Sequence, residues 1–174
     1  MKKTLITITI MLTLLSVEKR TVENIFMPGY STNELEDLNP YFKKKVKKLI
    51  ATMEKKGHSV KISDTYRSQK RQDFIFKASR VLSKIRGGSR GVTGTVNSKH
   101  SITKNGEPSS CAIDIRPQKN ISIKEQAEFY TVLRDEAVKI GLRSGANFKK
   151  RKSSPFYEYG LGYDPGHVEI YCKR

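Results

Sequence analysis

From Asn39 onward the apolar positions fall into segments whose spacing alternates between helical and strand-like. Phe42, Val46, Leu49, Ile50 and Met53 recur at intervals of three and four between lysines, which predicts an amphipathic helix. Asn39-Pro40 supplies an N-cap and a first-turn proline, and Gly57 a stop. Over His58 to Asp64, Val60 and Ile62 alternate with Lys61 and Ser63, the spacing of a short strand. Ile75, Ala78, Leu82 and Ile85 predict a second helix from about Ser68, ended by Gly87-Gly88 and followed by a Gly/Ser/Thr-rich loop over 86–97. Cys111 to Ile115 reads as a strand that ends at Pro117. A third helix begins at Ser122, where Ser122 and Glu125 make a capping box, and uses Phe129, Leu133, Ala137 and Ile140 before Gly141. His167 to Cys172 reads as a closing strand. The expected fold class is α+β: a small antiparallel sheet packed with about three helices.

The segment before this domain has a different pattern. Lys2 and Lys3 precede a run from Thr4 to Val17 that is apolar apart from threonines and Ser16, the layout of a signal peptide or membrane anchor, without a small-x-small cleavage end. Residues 18–38 are weakly patterned and read as a linker or peripheral arm, leaving 39–174 as the domain. Only transient membrane contact through residues 1–17 is expected, because no run reaches the roughly 18 apolar residues of a membrane-spanning helix.

Charge narrows the choice of partner. The 34 Lys and Arg against 17 Asp and Glu give a net charge of +17, which attracts polyanions such as anionic cell-envelope polymers or nucleic acid. Runs such as Lys43-Lys44-Lys45 and Lys149-Lys150-Arg151-Lys152 read as solvated faces. Two cysteines exclude a disulfide-dense scaffold.

The chemistry concentrates in "SKHSITKNGEPSSCAIDIRP", residues 98–117, and "DPGH", residues 164–167. Asp114 stands between two isoleucines, and a carboxylate in apolar surroundings needs a partner or a metal. His100 precedes it by fourteen positions, and His167 opens the last strand. Two histidines and one carboxylate leave a fourth position open, the donor set of a catalytic zinc centre. Asp114 shares a strand face with Ala112, and His167 with Glu169 and Tyr171. Cys111 and Cys172 fall on the opposite faces, where a cross-strand disulfide and two free thiols are both open. His58, with no supporting context, reads as a surface residue.

Ser98-x-His100, Ala112-x-Asp114 and Asp164-x-x-His167 together resemble the zinc D-alanyl-D-alanine carboxypeptidases and L-alanyl-D-glutamate endopeptidases. This is the group of VanX- and VanY-like enzymes and phage endolysin peptidases, with the metal-site fold shared by sonic hedgehog and lysostaphin. Tyr66-Arg67-Ser68 is similar to the group's Gly-Tyr-Arg-Ser segment, and "GLRSGANF", residues 141–148, to its Gly-Leu-x-Trp-Gly-Gly stretch. The matches occur in the right order. This chain departs in the His100–Asp114 spacing, twice the usual seven, in Ser110 at the glycine of Gly-x-Ala, and in Ser144-Gly145-Ala146 at Trp-Gly-Gly.

The resemblance implies that His100, Asp114 and His167 bind Zn²⁺. It implies that Asp164 is general base and then general acid, and that Arg67 stabilises the oxyanion. Ser98 and Tyr66 would contact substrate or orient a ligand, with Glu169 behind the ligands. The implied activity is hydrolysis of peptidoglycan stem peptides by an exported monomer in the periplasm or cell wall, or by a phage lysin. A non-catalytic envelope-binding module with a structural metal has no use for an acid at Asp164. A metal-dependent nuclease would suit the charge, but not the export-like leader or basic runs without interleaved aromatics. No nucleic-acid partner is therefore expected.

Overall fold

The computed structural model describes residues 29–85 and 95–172. The leader over 1–17, most of the expected linker and most of the Gly-rich loop lie outside the described residues. The described residues divide into two compact units, one with 29–30, 68–85 and 95–96, the other with 31–67 and 97–172.

Among the described residues, the larger unit holds two of the α-helices and all of the strands. Helix α1 (Pro40–Lys55) starts where the Asn39 side chain accepts the amides of Tyr41 and Phe42, and it buries Phe42, Val46, Leu49 and Met53. Strand β1 (Val60–Asp64) follows after Gly57, whose φ of 84° lets the chain reverse. After 3₁₀ turn 99–101 come two short strands, β2 (Thr103–Lys104) and β3 (Glu107–Pro108), and then β4 (Ala112–Pro117). Helix α3 (Ile123–Lys139) has the expected capping box, Ser122 and Glu125 each bonding the other's backbone amide. It buries Ala127, Phe129, Tyr130, Leu133 and Ala137. The unit closes with β5 (Arg143–Ser144) and β6 (His167–Glu169). Helix α2 (Gln69–Ile85) lies in the smaller unit. No described helix is long and apolar enough to cross a membrane.

The main sheet has the order β1-β4-β6-β5 and is antiparallel throughout. Successive side chains point to opposite faces. One face, with Ile113, Ile115 and Val168, packs into the core formed with α1 and α3. The other carries Asp114, His167 and Glu169. That alternation resolves how a carboxylate can stand between two isoleucines: Ile113 and Ile115 are buried, while the Asp114 side chain is 28% exposed on the far side of the strand.

Several local readings change. The long interval between His100 and Asp114 closes as a hairpin of β2 and β3, turned at Asn105 and Gly106 with φ of 54° and 85°. An Asn-Gly pair at positive φ is the turn a two-residue hairpin favours. Ser110, at the missing glycine, is fully buried, and its hydroxyl accepts the Ala112 amide and donates to the Ala112 carbonyl. The segment read as a linker or peripheral arm is folded at its end: Leu38 is core, the Asn39 amide donates to the Ser110 carbonyl, and the Ser110 amide donates to the Asp37 carbonyl. Among the described side chains of α2, Ile75 and Ala78 are half-buried, and Gln72 and Ser79 are buried. Gln72 donates to the Thr95 carbonyl, so a polar bond occupies the face that periodicity assigned to apolar packing. His58 packs its ring edge against Phe129 at 5.7 Å.

Cys111 and Cys172 form a disulfide across a separation of 61 residues. A cross-link closing a loop of that length stabilises by about 4 kcal/mol in the chain-entropy account. The double variant Cys111→Ser/Cys172→Ser is therefore expected to lose about 4 kcal/mol of unfolding free energy, read from the midpoint and slope of chemical denaturation.

Candidate metal centre

Three side chains from three separate segments converge. His100 sits in the 3₁₀ turn capped by Ser98, whose hydroxyl accepts the His100 amide. Asp114 and His167 are directly opposed across β4 and β6. His100 Nε2 lies 3.4 Å from Asp114 Oδ1 and 3.4 Å from His167 Nδ1, and His167 Nδ1 lies 3.0 Å from Asp114 Oδ1. These three atoms make a triangle, with His100 and His167 buried and Asp114 partly open. Ligands about 2.0–2.1 Å from a tetrahedral zinc stand about 3.3 Å apart. The triangle has the edge lengths of three corners of such a site.

The far side of each imidazole is also spoken for. His100 Nδ1 is 2.8 Å from the Thr65 carbonyl, which can only accept, so the proton sits on Nδ1 and Nε2 presents its lone pair to the centre. His167 Nε2 is 3.2 Å from Glu169 Oε2. Such outer partners orient metal-binding histidines and raise their basicity. Glu169 is itself held by Lys99 at 3.2 Å and Arg143 at 2.8 Å.

Carboxylates and imidazoles in the centre shift one another strongly. Burial opposes ionisation of Asp114, but His100 and His167 beside it hold its carboxyl far below the usual range. Burial likewise opposes a charge on His167, and the Asp114 and Glu169 carboxylates overcome it, pushing the imidazole up to about 10. For Glu169 the same contest ends at about 2, with His167 and Lys99 outweighing burial. An imidazole between two carboxylates is a place where a cation is favoured, whether a proton or a metal ion.

Sequence reasoning missed Asp64. Ile62 pairs with Ile115 and Asp64 with Asp114, so Ser63 is the extra residue of a bulge. The bulge turns Asp64 onto the face that carries Asp114; without it, strand alternation would aim Asp64 at the core with Ile62. Arg67 bonds Asp64 through Nε at 3.0 Å and through its terminal nitrogen, which also lies 3.9 Å from Asp114 Oδ2. Arg67 is thus fixed beside the triangle. Burial raises the Asp64 pKa despite Arg67 and His100.

Asp164 stands at an exposed turn, and its backbone carbonyl accepts the His167 amide. Crowding by protein atoms and then the Asp114 charge raise its pKa, while His167, His100 and Arg67 pull the other way. Its carboxylate therefore sits in the field of the whole centre. The turn is placed by Gly145: a Cβ there would fall 1.9 Å from the Asp164 carbonyl oxygen and 3.0 Å from the His167 Cβ. Of the Ser144-Gly145-Ala146 departure, the middle glycine is the one that geometry demands, and the Ala146 methyl is accommodated in the core. The remaining expected contacts are less direct. Ser98 serves the His100 backbone, and Tyr66 is 6% exposed within the β1–α2 junction.

Solved structures share this architecture. A mutant of the vancomycin-resistance D,D-pentapeptidase VanY in complex with Zn(II) matches with a TM-score of 0.53 and 16% identity, over 76% of this chain and 71% of that one. The LD-carboxypeptidase LdcB matches with a TM-score of 0.52 and 20% identity, over 76% and 58%. DacB from Streptococcus pneumoniae D39 matches at 0.50 and 18%, over 77% and 66%. The chain has the fold of these proteins. No protein-family model matches the chain, and no curated protein sequence does.

Glu169→Gln keeps the shape beside His167 Nε2 and removes the charge. Its zinc affinity is expected to fall about 10- to 100-fold, measured by competition with a chromophoric chelator, with the melting profile of the unloaded protein as control for folding.

Proposed function

We propose that the chain is a zinc-dependent peptidase that hydrolyses peptidoglycan stem peptides. The observation that carries this reading is the triangle of His100 Nε2, Asp114 Oδ1 and His167 Nδ1 with edges of 3.0 to 3.4 Å. The VanY and LdcB folds support it, the former solved with Zn(II) and the latter described in terms of peptidoglycan recognition. VanYB has also been solved with D-alanine-D-alanine. The disulfide suits an exported protein, since such bonds persist in oxidising compartments. The net charge of +17 suits work beside an anionic envelope.

His100, Asp114 and His167 are the residues that would hold the ion. When bound, zinc supplies a Lewis acid that brings the pKa of a water toward about 7 and polarises a carbonyl. The protein's own groups do the rest. The Asp164 carboxylate takes the proton of the attacking water and returns it to the leaving amine, a task that its raised pKa favours. Arg67, fixed by Asp64, places a permanent cation where negative charge develops on the carbonyl oxygen. Ser98 positions His100, and Tyr66 supports the Arg67 junction. The bond is either that of a D-alanyl-D-alanine terminus or that between L-alanine and D-glutamate.

Digestion of purified peptidoglycan by the zinc-loaded chain is expected to release D-alanine or peptides with a new N-terminal D-glutamate, identified by mass spectrometry. Asp164→Asn is expected to retain stoichiometric zinc and lose at least about 100-fold in rate. Zinc bound with no wall bond cut by either protein would contradict the reading.

A further inference from the structure

We propose that the outer face of helix α1 is a docking surface for a linear phosphodiester polymer of the cell envelope, held by Lys44, Lys47, Lys48 and Lys55. The choice of partner rests on the peptidase reading above.

Helix α1 buries Phe42, Val46, Leu49 and Met53 in the core. At 3.6 residues per turn, Lys44, Lys48, Ala51 and Lys55 then run along the middle of the opposite face, with Lys47 beside them. All five are exposed. The lysines at the edges of this face are already employed. Lys43 pairs with Glu36 at 3.6 Å, and Lys56, just past the helix, pairs with Glu136 at 3.5 Å. Lys45 donates to the Ile140 carbonyl and lies 5.2 Å from the centre of the Tyr41 ring. Among the described residues no carboxylate pairs with Lys44, Lys47, Lys48 or Lys55. The one acid on the helix, Glu54, is exposed at the edge on the Lys47 side.

Lys44 stands three residues from Lys47 and four from Lys48, so like charges meet at both of the close spacings of a helix. That arrangement weakens the helix, and a counter-charge from outside relieves it. From Lys44 to Lys55 the row spans about 16 Å at 1.5 Å per residue. A row of separate ammonium groups, each a point charge on a flexible stem, suits a chain of phosphates better than one small anion.

The composition of the face selects among polyanions. Ala51 is the one apolar side chain along its middle, which leaves little to bury among lipid chains. The helix has no arginine, and Tyr41, 61% exposed at one end, is the one aromatic ring outside the core. It therefore lacks the guanidinium forks and stacking rings with which proteins grip nucleic acids. The disulfide suits an oxidising compartment, where the phosphodiesters at hand belong to the envelope. The metal triangle lies on the sheet face turned away from α1. A polymer docked on α1 holds the chain at the wall without covering the centre.

The test measures cosedimentation of the full chain with purified cell walls that carry their phosphodiester polymer, and with the same walls after hydrofluoric acid has removed it. The wild type is expected to bind the intact walls and to lose that binding on the stripped ones. Lys44→Gln, Lys47→Gln, Lys48→Gln and Lys55→Gln together are expected to weaken binding about 10- to 100-fold. The slope of log affinity against log salt is expected to become shallower by about 0.7 per lysine removed, as for a flexible single-stranded polyanion. Glutamine favours a helix about as well as lysine, so the circular dichroism and the cleavage of a soluble stem peptide are expected to stay unchanged. A second variant with Lys119, Lys149, Lys150 and Lys152, all exposed, changed to glutamine has the same net charge and is expected to keep its binding. Equal losses in the two variants, equal binding to stripped walls, or tighter binding to duplex DNA or anionic phospholipid vesicles at equal phosphate concentration each overturn the proposal. Wall binding that depends on the four α1 lysines, in a chain that cuts no wall bond, supports the proposal and overturns the peptidase reading.

Discussion

Asp114 imposes the constraint on which the rest of the centre depends. Its neighbours Ile113 and Ile115 are drawn into the core, and the alternation of a strand then leaves the carboxylate on the opposite face. Once there, it needs positive charge or hydrogen-bond donors. His167 meets it across β4 and β6, His100 reaches it from a capped turn, and Arg67 approaches from the β1 side. Each of these partners is fixed in turn by a second group: Glu169 behind His167, the Thr65 carbonyl behind His100, Asp64 behind Arg67. The carboxylates of this arrangement favour a cation at its middle.

The elements that could be read from sequence are those whose signals are local. Helix α1 announces itself through Asn39-Pro40 and a clean apolar face, and α3 through its capping box. The convergence of His100, Asp114 and His167 was also legible, because the two strand residues obey period two and the motifs match a known pattern. Local signals were present but weaker for the β2–β3 hairpin, where Asn105-Gly106 marks the turn without long flanking strands to confirm it. The second helix was legible from its apolar spacing, but the burial of Gln72 and Ser79 was not, because a glutamine held by a backbone carbonyl adds nothing to apolar periodicity.

What stayed out of reach depends on one-residue register or on distant backbones meeting. No residue type at Ser63 signals a bulge, yet that bulge decides whether Asp64 enters the site or points into the core. Gly145 and Gly162 lie 17 positions apart in the chain, and each lacks a side chain because a distant backbone closes on it, Asp164 on Gly145 and the 145–148 turn on Gly162. The pairing of Cys111 with Cys172 likewise required knowing that the end of the chain returns beside the start of β4.

The proposed function depends on three atoms, His100 Nε2, Asp114 Oδ1 and His167 Nδ1, holding zinc with one position left open. Anomalous diffraction from crystals of the chain grown with zinc, recorded on both sides of the zinc absorption edge, tests it most directly. The account predicts one strong anomalous peak bonded to those three atoms, with a solvent molecule at the fourth position. A peak bonded elsewhere, or an ion whose fourth ligand is a protein side chain, would contradict it.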